Sequence, residues 1–382
     1  MAESVSITQK APRESGLELY RIIAMLLIVA HHYVVNSGLM DVMYESPLEG
    51  KAVFMFLFGM WGKTGINCFV LITGYFMCTS RITLRKYLKL LLMVYVYRIV
   101  IYAIFAVTGY NEVSLSGIVK LLLPVTSVKQ NFTSCYLLFY LTIPFLNILV
   151  SHMTKRQHLL AAGFGLMVYT LLGSIPKIHI DMNYVSWFIV LFLIGSYLRL
   201  HPEKWFSKRK LWAVSTLVSV LLAMLSVVVL LTAGEWINAN YGQKLKLAYF
   251  WVADSNKILA VAVAVSSFML FKNLGIRYSK FINAVASAAF GVLLIHANSD
   301  TMRQWLWEDT LDNVGWYMGM TGSGSTMMIV LHATLSVVAV YSVCTLIEYI
   351  RIRYTEKPML DVAEHAVLRG WRKVSGEKRQ GF

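Results

Sequence analysis

Long apolar runs alternate along this chain with short polar segments in which lysine and arginine cluster. A helix crosses the hydrocarbon core of a bilayer with about 20 apolar residues. That ruler predicts an all-α, polytopic membrane protein of about ten transmembrane helices. They fall near residues 17–37, 64–79, 84–108, 134–152, 157–174, 184–199, 211–232, 250–271, 281–298 and 326–350. The second and sixth are short. A further apolar piece, "KAVFMFLFGMWG", is too short to span and predicts a half-buried helix ahead of the second.

Composition agrees: of 382 residues, 57% are hydrophobic and 14% charged, and the mean hydropathy is +0.60. That is too apolar for a soluble domain. The net charge of +15 does not point to nucleic acid, because the positives sit in clusters between apolar runs. Counted by side with the N-terminus inside, 24 Lys and Arg fall on inner segments and 8 on outer ones. Every inner loop is positive, which predicts N-in, C-in and an even number of spans. Three domains result: a cytoplasmic tail over 1–16, a membrane domain over 17–350 and a basic cytoplasmic tail over 351–382.

In that last tail Leu360, Ala363, Val367 and Trp371 recur at helical spacing among charges. Either a helix lies on the inner membrane face against anionic lipid, or the segment is a disordered basic tail. The polar start, followed by an apolar run with no small-residue cleavage site, predicts an uncleaved signal anchor. Cys68, Cys78, Cys135 and Cys344 lie in or beside apolar segments with no Cys-x-x-Cys or zinc spacing, so they read as packing residues and no metal is expected.

The chemistry concentrates in the first span, "YRIIAMLLIVAHHY". At about 100° per residue, the steps from Arg21 to His32 come within about 20° of whole turns, and the two lie roughly 16 Å apart along one face. Glu18 and Asn36 share that stripe, and His31 is turned aside. Arg21 lies close enough to the interface to snorkel. His32 lies deeper and must face protein or a wet cavity. Adjacent histidines do not chelate one ion readily, whereas a general base or proton shuttle suits a side chain with a pKa near 6.5.

Arginine, ten residues, then histidine in the first span resembles the signature of the integral-membrane acyltransferase 3 family. Other stretches follow in the family's order: "GKTGINCFVLITGYFM", "YLLFYLTIPFLNILV", "VSWFIVLFLIGSYLR" and "FKNLGIRYSKFINAVASAAFGVLLIHAN". The resemblance runs from about residue 15 to 350 and is nearest to the Gram-positive capsule and exopolysaccharide branch. Two departures stand out. The family's Arg-x-x-Arg pair at the start of the third span is replaced by Lys86 and Lys89, which keep the charge and lose the bidentate fork. Thr73 stands where serine is usual.

The resemblance implies an O-acetyltransferase of the bacterial plasma membrane. Acetyl-CoA is the donor, and a cell-surface polysaccharide or its lipid-linked precursor is the acceptor. Besides these, membrane lipid is the partner expected. It makes His32 the base or acyl acceptor and Arg21 the residue that positions the donor. Arg85, Lys86 and Lys89 would draw in the CoA phosphates, and Lys63, Asn67, Thr73 and His296 are candidates for lining the site. His296 is equally read as a cap on its helix. Arg98 and Lys257 read as structural, and Asp254 as a partner for Lys257 at i+3. Buried Arg and His also mark proton-coupled carriers, so a transporter or flippase is the alternative, followed by a non-catalytic partner in polysaccharide assembly.

Overall fold

The computed structural model describes residues 15–129, 131–322 and 324–375, and no strand occurs among them. Helix α1 (Ser15–Val35) runs through the middle of the bundle. We call the end where it begins the lower end and the end where it finishes the upper. A short α2 (Leu39–Met43) turns the chain back into α3 (Gly50–Gly59) and α4 (Gly62–Met77). Then come α5 (Leu84–Val107), α6 (Leu115–Leu122), α7 (Phe132–His152), α8 (Lys155–Gly165), α9 (Tyr184–Leu200), α10 (Arg209–Tyr241) and α11 (Ile258–Lys272). Helix α12 (Lys280–His296) leads into α13 (Asp300–Gln304) and α14 (Asn313–Gly319), and the chain closes with α15 (Ser325–Tyr354) and α16 (Glu356–Ser375).

Each of the ten apolar segments overlaps helical structure, although the eighth, expected over 250–271, becomes helical only at Ile258. Among the described residues, six helices or joined helices are long and apolar enough to cross a membrane: α1, α3 with α4, α5, α7, α10 and α15. The bent pair formed by α12 and the following α13–α14, which meet at 98°, makes up to seven. Helices α9 and α11 are apolar but shorter. The length test thus supports fewer than the ten spans expected. The half-buried helix expected at "KAVFMFLFGMWG" is α3, which continues into α4 as one 28-residue apolar unit.

Helix starts are set by local chemistry. Thr83, Ser114, Asn131, Asn183, Ser279 and Ser299 each accept the backbone N–H three residues on, which satisfies an orphan donor of the first turn. Thr154 and Gln157 close a reciprocal capping box at α8. Two π-helical turns interrupt the pattern, at Leu166–Leu171 after α8 and at Trp305–Thr310 after α13.

Where water is absent, helices associate through close packing and internal polar contacts. Helix α4 does both. A Cβ on Gly195 of α9 would lie 2.7 Å from the Leu71 carbonyl oxygen and 2.9 Å from the Tyr75 nitrogen. Backbone therefore sits against backbone. Asn67, fully buried, donates to the Ser255 carbonyl at 2.7 Å and accepts from Trp187 Nε1 at 2.9 Å. It pins α4 to α9 and to the turn before α11.

At the lower end, Glu348 of α15 is 1% exposed. It takes two bonds from Arg351, at 2.7 and 2.8 Å, and one from Tyr97 of α5 at 2.5 Å. Arg351 also reaches Glu356, the first residue of α16, at 2.9 Å. Of the two readings left open for the tail, a helix forms, α16, but its acids face protein. Asp361 and Glu364 pair with Arg85, and Glu356 with Lys89. The Arg85 guanidinium, bonded to the Asp361 carboxyl, holds it below the usual carboxylate range. Leu360 is buried while Val367 is 42% exposed. The expected position of Trp371 lies among side chains outside the described ones.

Adding one methyl at Gly195 has nowhere to go, so Gly195→Ala should cost about 1–3 kcal/mol. Gly163 in α8 has nothing within 4 Å of its would-be Cβ, so Gly163→Ala should be neutral or stabilising by up to about 1 kcal/mol. Thermal unfolding in detergent checks both. Equal melting of the two variants would contradict the α4–α9 backbone contact.

Candidate active site

The upper third of α1 carries two histidines with separate tasks. His31 donates through Nδ1 to the Gly59 carbonyl oxygen at 2.6 Å, where α3 gives way to α4. A carbonyl can only accept, so the Nδ1 proton is on His31. Its ring occupies the space a side chain at Gly62 would need, since a Cβ there would meet the ring at 2.2 Å. His31 therefore fixes the break between α3 and α4.

His32 points the other way. Its Nδ1 lies 2.9 Å from Nε2 of His296, the last residue of α12. His296 is fully buried, and its Nδ1 sits 2.6 Å from the Val292 carbonyl oxygen, one turn back. The proton assignment follows from that acceptor. Val292 forces the proton onto His296 Nδ1, which in neutral imidazole leaves Nε2 as an acceptor. His32 must then carry its proton on Nδ1 and donate. Its Nε2 keeps a lone pair and has no protein partner among the described residues.

That nitrogen belongs to a side chain lining a cavity of about 630 Å³ at the upper end. Asn36, Lys63, Tyr184 and Arg303 line it too, with Asn131 and Thr133 from the start of α7. Lys63 donates to the Tyr184 hydroxyl at 2.7 Å and faces Asp254 at 3.8 Å. Asp254 therefore belongs to the Lys63 and Tyr184 group. Lys257 donates to the Gly173 carbonyl and lies over the Phe250 ring. Arg98 donates to the Leu123 carbonyl at the end of α6, which matches its structural reading.

Of the residues singled out by sequence, the fold gathers His32, His296 and Lys63 at one place. It leaves others elsewhere. Arg21 keeps its position on the His32 face about three turns down and pairs with Glu18. Asn67 spends both ends of its amide on backbone and indole. Thr73 bonds the Phe69 carbonyl and the Tyr136 hydroxyl, both at 3.0 Å, and stands outside the cavity lining. Arg85, Lys86 and Lys89 line a separate groove of about 390 Å³ at the lower end, walled on its other side by Glu356, Lys357 and Leu360. Lys86 there donates to Ser80 and to the Arg81 carbonyl, at 2.8 and 2.6 Å.

Arg303 and Tyr184 had no signal in the sequence beyond a charge in an upper loop and an aromatic at a helix start. Arg303 reaches the cavity only because α13 bends away from α12.

The chain is thus a multi-pass helical membrane protein in which His32 and His296 meet beside a polar cavity. The acyltransferase domain family, acyltransferase 3, matches residues 14–349, and the chain belongs to it. No curated protein and no solved structure matches the chain.

The tautomer chain can be read directly. In ¹⁵N-histidine-labelled protein, His32 should show a protonated Nδ1 and an unprotonated Nε2, and His296→Ala should scramble that assignment. A proton on His32 Nε2 in the native protein would overturn the relay.

Proposed function

We propose that this acyltransferase is an O-acetyltransferase of the bacterial plasma membrane. It moves an acetyl group from acetyl-CoA to a hydroxyl of a cell-surface saccharide or its lipid-linked precursor, with both termini in the cytoplasm. The observation that carries the reading is His32, held through Nδ1 by His296 with its Nε2 lone pair left for the cavity.

In this reading the acceptor hydroxyl gives its proton to His32 Nε2 as its oxygen attacks the thioester carbonyl carbon. The new C–O bond forms, the C–S bond breaks, and the proton passes from the imidazolium to the departing CoA sulfur. Positive charge that develops on His32 is shared along the Nδ1–H bond to His296 Nε2, which also keeps the ring from rotating. This is the role an orienting partner plays for a catalytic histidine. Lys63 and Arg303, on the cavity wall, supply positive charge for the oxyanion of the tetrahedral intermediate.

The lower groove suits the donor's phosphates through Arg85, Lys86 and Lys89. Arg21 stands between the two ends on the His32 face of α1 and would steady the donor between them. Helix α16 already holds Arg85 and Lys89 through its carboxylates, so phosphates bind there by sharing or displacing those acids.

Purified protein given acetyl-CoA without acceptor should release CoA thiol slowly. His32→Ala should reduce release about 10²–10⁴-fold, the usual worth of general base catalysis, and His296→Ala should reduce it by less. His152→Ala, an exposed position at the end of α7, serves as the control. Native and His32→Ala proteins releasing thiol at one rate, both folded, would rule out the proposed base.

A further inference from the structure

We propose that the His32 cavity is one end of a longer acceptor site built for an amphiphile, a sugar joined through phosphate to a long hydrocarbon chain. The proposal rests on the acyltransferase reading and narrows its acceptor. Three adjoining spaces carry it. The first is an apolar groove of about 800 Å³ between α5 with the turn after it, from Tyr97 to Tyr110, and α15, from Ala339 to Ile347. At 1.5 Å per residue it extends roughly 12–15 Å along the helices. Its walls include Val100, Ile104 and Val343, each close to half exposed or more, and toward its upper end it is lined by Trp305 and Leu306 of the π-helical turn.

The second space is a polar chamber of about 520 Å³ that shares Phe105 with the groove. Arg98, Lys120 and Arg303 line it against a single carboxylate, Asp300. Asp300 is 98% exposed and engages Arg303 through Nη1. Arg303 Nε is buried with no hydrogen-bond partner, so the guanidinium keeps an unspent donor. The third space is the His32 cavity, which shares Asn131, Thr133, Ala297 and Arg303 with the chamber.

The order along the protein is therefore apolar groove, cationic chamber, base. It matches chain, phosphate and sugar in a lipid-linked saccharide. A free saccharide has no use for the groove or for the excess of cations. A long-chain acyl thioester has the wrong order, because its carbonyl would sit where the chain meets the phosphates and not beyond them at His32. The acetyl transfer itself is unchanged: the hydroxyl that loses its proton to His32 Nε2 is one on the sugar of the bound amphiphile.

A photoactivatable farnesyl phosphate, which supplies chain and phosphate alone, tests the site on the full-length protein in detergent. Labelling is expected within 97–110 and 339–347. Unlabelled farnesyl phosphate should compete and phosphatidylglycerol should not. Val343→Trp and Val100→Trp, one on each wall and both lipid-facing, should each lower labelling by about tenfold or more. Lys120→Gln with Arg303→Gln should raise the concentration for half-labelling about tenfold. Labelling spread over the lipid-facing surface of α10, or competed equally by phosphatidylglycerol, would mean a lipid-filled groove only and overturn the proposal. Thiol release from acetyl-CoA on the same preparation separates the two readings. Release without site labelling sinks the amphiphile site alone, and labelling without release removes its role as acceptor site.

Discussion

A polar group inside an apolar bundle has no water to fall back on, so each must find its partner within the protein. That constraint organises this molecule from end to end. At the lower end Glu348, Arg351, Tyr97 and Glu356 satisfy one another and lock α5, α15 and α16 together. At the upper end Val292, His296 and His32 form a chain in which each donor is answered until the last nitrogen. In that chain the nitrogen left without a protein partner among the described residues is His32 Nε2, at the cavity. Structure and chemistry are here the same accounting of hydrogen bonds.

Close backbone approach is what makes the chain of partners possible. Helix α4 contacts α1 across Gly62 and α9 across Gly195, where a Cβ would collide. The neighbouring side chains, His31 above all, sit in the space those glycines leave. Lys63 follows directly on Gly62, so the same break that admits His31 also carries the lysine to the cavity wall. The glycines thus act on function through geometry, without touching any substrate themselves.

The two basic regions differ in character. The lower groove is already partly neutralised by α16, whose acids hold Arg85 and Lys89. Exposed pairs of this kind contribute little to stability, and they are correspondingly easy for phosphates to displace. The upper chamber holds Arg303 with a buried, unpartnered Nε, an arrangement that costs free energy unless something else fills it.

Much of this was legible in the sequence. Apolar run length located most of the apolar helices within a few residues, because helix hydrogen bonds close locally, but it ended α10 nine residues early and began α11 eight residues early. The 3.6-residue period put Arg21 and His32 on one face and turned His31 away, and the folded α1 keeps that division. Other features needed the tertiary structure. Asn67 and Thr73 looked like site residues by type and position, yet their partners, Trp187, Ser255 and Tyr136, come from distant helices that no local pattern names. His296 was visible as a histidine at a helix end, either cap or site. Only the parallel packing of α12 against α1 made it the partner of His32. Arg303 enters the cavity through the 98° bend after α12. Local periodicity dictates which face a residue occupies, but which faces meet is decided by packing, and the cluster around His32 is made where faces from α1, α4, α12 and α13 meet.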